Sequence, residues 1–165
     1  MNQIDSLRRD FESEMRTTRR HLERVPDAKW DWRPHAKSYT AGALASHLVD
    51  CAGWTSHIFT GDETDVDPAT WEVCRAGSTA ELLAAFDAVV ERCKGILAKV
   101  DESDLDRPWR LKVKGRQLFE RPKGATFRDM TLNHLIHHRG QLTVYLRLLD
   151  VPVAGTYGPT ADEPF

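Results

Sequence analysis

Residues 133–141 read Asn133-His134-Leu135-Ile136-His137-His138-Arg139-Gly140-Gln141, and three of the chain's seven histidines fall within five of these positions. Around them Phe127, Met130, His134, His138, Leu142, Tyr145 and Leu149 recur at spacings of three and four, the period of a helix with one apolar face. Residues four apart lie on one face, one turn apart. His134 and His138 therefore point the same way, into the apolar stripe. His137, rotated by roughly 100° from His138, faces another direction. Two imidazoles one turn apart can grip one metal ion, a spacing used in HExxH helices. Residue 135 is Leu where that motif carries Glu, so this is a different motif. By itself such a pair reads equally well as two ordinary helix histidines.

A second helix shows a similar oddity. From Thr40 to Phe59 the apolar face is Leu44, Leu48, Cys51, Trp54 and Ile58, and His47 lies beside Leu44 and Leu48 on it. A buried imidazole needs partners for both nitrogens, because an unpaired polar group in a core is costly. Three imidazoles converging on one ion supply a reason for all of them. Three protein ligands leave a coordination position open, the arrangement of catalytic sites. Asp50, three residues after His47, is placed to support it or to ligate, and it reads also as a flank carboxylate. Cys51, four residues after His47, could ligate but reads first as a small apolar filler.

The remaining composition narrows the class. A chain of 165 residues is most simply one domain, 1–165. The balance of 23 basic and 25 acidic residues gives a net charge of −2, which argues against a dedicated nucleic-acid binder. No apolar run approaches the ~20 residues that span a bilayer, and the polar start is not a signal peptide. Three widely spaced cysteines suggest neither a disulfide framework nor a zinc ribbon. A cytoplasmic location is the default.

Four amphipathic helices are expected. The first covers residues 3–25, with Ile4, Leu7, Phe11, Met15, Thr18, Leu22 and Val25 on one face and Pro26 at its end. Its opposite face, rich in Arg with interleaved acids, reads as solvated and ion-paired. Trp30 and Trp32 are expected to cover one end of the core. His35 is expected at the surface. Thr40 caps the second helix, which stops at Gly61; His57, ten residues beyond His47, is too far along it to share a metal. Residues 62–77 are acidic, then irregular. Ser78 and Glu81 form a capping box for the third helix, which runs to about Val100. Residues 101–126 form the longest non-helical stretch, in which Trp109, Leu111 and Val113 alternate with basic residues as in a short β-hairpin turning at Gly115. Thr126 is expected to cap the fourth helix, and the Gly- and Pro-rich tail to pack as an arm or stay mobile. The fold class is all-α, a four-helix bundle whose long links cross the bundle end.

The chain resembles the DinB/YfiT-like superfamily of metalloenzymes nearly end to end. The matching pieces are WDWRPHAKSYTAGALASHLVD and TLNHLIHHRGQLTVYLRLLDVPVAGTYGPTADE. The resemblance implies a four-helix bundle with a crossover connection, a homodimer, and a divalent metal (zinc, nickel or an iron-like ion) held by one His of helix two and a His pair of helix four. Carried over, these are His47, His134 and His138. It also implies a thiol-cofactor-dependent S-transferase or isomerase, using bacillithiol, mycothiol or glutathione on a small electrophile. A metal-dependent hydrolase and a non-catalytic metal-binding stress or partner-binding bundle, its site sealed by a fourth ligand or by Trp54 or Tyr145, are the alternatives. Residues 107–123 carry seven basic side chains against Glu120 alone. Arg110 and Arg116 there read either as a cationic rim for an anionic thiol or as charges that protect a strand edge.

Overall fold

The structure, a computed structural model, describes residues 2–164. Three long helices come first, α1 (Gln3–Leu22), α2 (Ala41–Thr60) and α3 (Thr79–Leu97). A short strand β1 (Glu63–Val66) follows α2, and a hairpin of β2 (Pro108–Val113) and β3 (Arg116–Pro122) follows α3. The last helical arm is α4 (Lys123–Phe127), a π-helical turn (Arg128–Asn133) and α5 (His134–Leu148). Helix α1 packs against α3 and α5, and so does α2. The helices therefore run round the core in the order α1, α3, α2, α5, with α1 diagonal to α2 and α3 diagonal to α5.

Local chemistry sets the helix starts. Asn2 accepts from the Asp5 N–H, Thr40 from Ala43 and Ser78 from Glu81, each satisfying an otherwise orphaned first-turn donor. The Glu81 carboxylate reaches back to the Gly77 N–H at 2.8 Å, one residue beyond the capping-box position. Helix α1 stops at Leu22 although Val25 is buried, because Pro26 keeps Val25 out of the helical region. At α4 the expectation fails. The helix begins at Lys123, and Thr126 lies within it, donating to the Pro122 carbonyl. Pro122 sets this start, with its ring preceding the first turn.

The all-α expectation is corrected by a mixed three-stranded sheet in the order β1-β2-β3. The hairpin is present, joined by Lys114 (φ 50°) and Gly115 (φ 77°), the paired positive φ values of a type I′ turn. To it β1 adds in parallel, Glu63 opposite Arg110 and Val66 opposite Val113. Its four residues lack the apolar alternation of a strand. Charge holds it instead, through Glu63 to Lys112 at 2.7 Å and, beyond its ends, Asp62 to Arg107 at 3.0 Å and Asp67 to Lys114 at 3.4 Å. The buried indole of Trp109 docks the sheet on the far half of α2, donating to the His57 carbonyl at 3.0 Å.

The arginine face of α1 is largely engaged by protein. Arg8 donates to the Leu97 and Val100 carbonyls at the end of α3, and Arg19 pairs with Asp87. Arg20 and Arg24 both hold Glu163 of the C-terminal segment. That segment is an arm clasped along α1, and Arg147 pairs with Asp162 to fix its other side. No helix among the described residues is long and apolar enough to cross a membrane.

Candidate metal centre

His47 stands midway along α2, half-buried among the buried Leu44, Leu48 and Cys51. His134 opens α5 directly after the π-helical turn, and His138 follows one turn later. The three rings meet. Their centroids lie 5.1 Å apart for His47 and His134, and 4.7 Å apart for His47 and His138 and for His134 and His138. His47 Nε2 and His134 Nε2 face each other at 3.4 Å.

Each outer nitrogen has a counterpart. His138 Nδ1 donates to Gln141 Oε1 at 2.7 Å. The His134 imidazole is hydrogen-bonded to the backbone of Met130, inside the π-helical turn. His47 Nδ1 faces Asp50 Oδ2 at 3.7 Å, beyond a direct hydrogen bond but within electrostatic reach. Asp50 is itself aimed by the Cys74 N–H, which donates to Oδ1 at 2.8 Å. Groups that take the outer N–H leave the inner nitrogen as a lone pair. Burial, and then His138 and His47, hold the His134 pKa down to about 4; burial chiefly lowers that of His138. These rings are neutral near pH 7, the state that ligates. The facing Nε2 atoms of His47 and His134 fit a divalent cation.

Cys51, and not His138, completes the one group of candidate donor atoms among the described residues. Its Sγ, with nitrogens of His47 and His134, forms a group of donor atoms within 4.8 Å of one another that could hold a metal ion. Burial and Asp50 push its thiol up to about 12, so the free thiol keeps its proton. Its signal in the sequence was the four-residue spacing from His47, overshadowed by its place on the apolar face.

A cleft of ≈ 400 Å³ reaches His47 from solvent, between Trp30, Tyr39, Ser46, Asp50 and Cys74. Tyr39 stacks on the His47 ring at 5.8 Å. Trp54 turns instead to Trp71 and His57, and Tyr145 to Trp32. His57 is exposed at the far half of α2, and His35 and His137 are exposed as well.

Arg110 and Arg116 are not brought to the histidines. Arg110 is bound within the sheet by Glu120 and Glu63, and Arg116 opens β3. That sheet docks near His57, about 15 Å along α2 from His47 by helix rise. Besides the nearby Glu120, Asp104 and Asp129, the acids that pair with the basic segment come from β1 and its flanks, remote in sequence.

The buried stripe of α5 is Leu135, Arg139, Leu142 and Leu146, so His134 and His138 flank it by one residue. Arg139 is 2% exposed. It pairs with Glu14 at 2.7 Å and donates to Thr18 Oγ1 at 3.2 Å and Tyr157 Oη at 2.8 Å. A buried guanidinium is tolerated only with such partners, and none of them is near it in sequence.

A family model, the DinB superfamily, matches residues 10–142. The uncharacterized protein YrdA of Bacillus subtilis is 26% identical over 165 aligned positions, covering 97% of this chain and 91% of its own length. The uncharacterized protein YjoA of the same organism is 24% identical over 153 positions, covering 89% and 91%. Among solved structures, the DinB-like YjoA of Bacillus subtilis has a TM-score of 0.71 at 22% identity, covering 94% of this chain and 98% of that one. A DinB-like protein of Bacillus cereus has a TM-score of 0.68 at 21% identity, covering 90% and 94%. These likenesses establish the fold.

Proposed function

We propose that this chain, which belongs to the DinB superfamily, is an enzyme whose divalent metal is held by His47, His134 and His138. The observation that carries the reading is the pair of Nε2 atoms facing each other at 3.4 Å, with the third ring alongside and a cleft open to His47. A Lewis-acidic ion there would lower the pKa of a bound thiol or water. Around it, Asp50 and Gln141 hold His47 and His138, and the cleft beside Tyr39 admits a small electrophile. Within this reading we place thiol-dependent S-transfer or isomerisation first, with zinc, nickel or an iron-like ion. The cyclic helix packing supports a four-helix bundle of the DinB type, and free cysteines support a reducing, cytoplasmic setting.

Metal analysis of the purified protein is the first test. Single changes of His47, His134 or His138 to Ala should lose most of the metal, whereas His137→Ala should retain it. Loss on His137→Ala with retention on His138→Ala would refute the assignment. A thiol-transfer assay with low-molecular-weight thiols, run against a hydrolysis assay, then identifies the reaction.

A second reading rests on Cys51. Were its thiolate the fourth ligand, the site would be closed and the protein a metal-stabilised binder. Cys51→Ala distinguishes the two: a catalytic three-histidine site keeps its metal, a closed site loses it. A homodimer is also proposed. The monomer mass is 18.8 kDa, and a sedimentation mass near that value at micromolar concentration would exclude a stable dimer.

A further inference from the structure

We propose that Gln141 is a positioning residue of this metal centre, holding His138 in the tautomer that leaves Nε2 free for the ion. The assignment rests on the metal reading above. The Gln141 carboxamide stands three residues beyond His138 and four beyond His137 on its own helix, within reach of both. Its Oε1 lies 2.7 Å from His138 Nδ1, and its Nε2 lies 3.1 Å from His137 Nε2. A carboxamide oxygen only accepts, so His138 carries its proton on Nδ1. The amide nitrogen only donates, so His137 accepts at Nε2. Flipping the amide would reverse both assignments and put the His138 proton on Nε2, where it would keep that nitrogen from taking an ion. His47 and His134 have their own supports in Asp50 and the Met130 backbone. For His138 that part falls to Gln141.

The arrangement also gives the third histidine of the 134–138 run a part. His137 is exposed, its ring set edge-on to that of His138 with centroids 5.0 Å apart, and it secures the amide that secures His138. The chain thus reads outward from the site as His138, Gln141, His137 and solvent.

The test uses the full-length protein, stripped of metal and then titrated with zinc. Long-range proton–nitrogen NMR correlations report which imidazole nitrogen carries the proton, with no metal present. In the wild type His138 should be protonated on Nδ1. Gln141→Leu should lose that preference and bind zinc roughly 10- to 100-fold more weakly. Gln141→Glu keeps an acceptor in place and should keep both the tautomer and most of the affinity. His137→Ala should cost less than Gln141→Leu. The proposal is overturned if wild-type His138 is protonated on Nε2, or if Gln141→Leu matches the wild type in tautomer or in zinc affinity. It is overturned too if Gln141→Glu loses as much as Gln141→Leu, which would mark a packing role. Should the wild type take up no zinc while showing the expected tautomer, the metal reading itself is what fails, and the assignment to a metal centre with it.

Discussion

His21 shows how a single residue couples to pH. It is fully buried under the C-terminal arm, with Nε2 at 2.9 Å from Thr156 Oγ1 and Nδ1 without a partner. Burial, then Arg139, Arg24 and Arg20, lower its pKa from 6.5 to about 4. Between those values the unfolded chain binds a proton that the folded chain refuses. Stability from this residue is therefore complete above pH 6.5 and is lost as pH falls towards 4. The loss amounts to at most about 3 kcal/mol. Urea unfolding measured across this range should show the decline, and His21→Gln should flatten it. His134 titrates in the same window, so the variant should retain part of the slope. Equal slopes in wild type and variant would show that His21 is not a source.

Elements depend on how closely their neighbours approach. Gly42, in the first turn of α2, lies beneath the Trp30 indole, and a Cβ there would run into the ring. Trp30 is fixed from above by its Nε1–H, which donates to the Ala76 carbonyl at 3.0 Å. Gly42→Ala must displace the ring and is expected to destabilise the protein by about 1–3 kcal/mol, against the usual small gain from Ala within a helix. It should also disturb the cleft that Trp30 lines. A thermal midpoint equal to or above the wild type's would contradict the packing. The last helical arm makes a related point. Its buried positions run Phe127, Thr131, Leu135 and Arg139, each four apart, a spacing that crosses the π-helical turn and sets His134 and His138 beside the stripe.

Over the whole molecule, the C-terminal arm closes the fold against α1. Tyr157 Oη donates to the Glu14 carboxylate at 2.9 Å, and Glu163 holds Arg20 and Arg24. Backbone and arginine hydrogen bonds hold the Glu163 carboxyl down to about 2, so the clasp persists through neutral and mildly acidic pH. Truncation after Asp150 would expose His21 and remove Tyr157 from Arg139. The buried Arg139 and its half-buried partner Glu14 would then meet water from one side. The expected result is a lower thermal midpoint and faster proteolysis near α1, with the histidines of α2 and α5 still able to take up metal. An unchanged midpoint would mean the arm contributes no stability.

The sequence by itself determined what is local. The three long helices, the caps at Thr40 and Ser78 and the hairpin turning at Gly115 follow from periodicity, from side chains that reach their own backbone, and from a glycine after an alternating run. His47, His134 and His138 were legible because imidazoles at turn spacing on otherwise apolar helices are anomalous. Only the tertiary structure decided what depends on distant partners. The burial of Arg139 depends on Glu14 and Tyr157, which come from α1 and the C-terminal arm. Strand β1 was silent because its ion pairs are with β2. Arg110 read as a rim or edge charge because Glu63, which binds it together with Glu120, comes from β1, remote in sequence. Cys51, a possible ligand by its spacing from His47, gained its second partner only when α5 brought His134 to the same point. Charge and coordination are satisfied in space, and the order of residues along the chain does not record which distant group will do it.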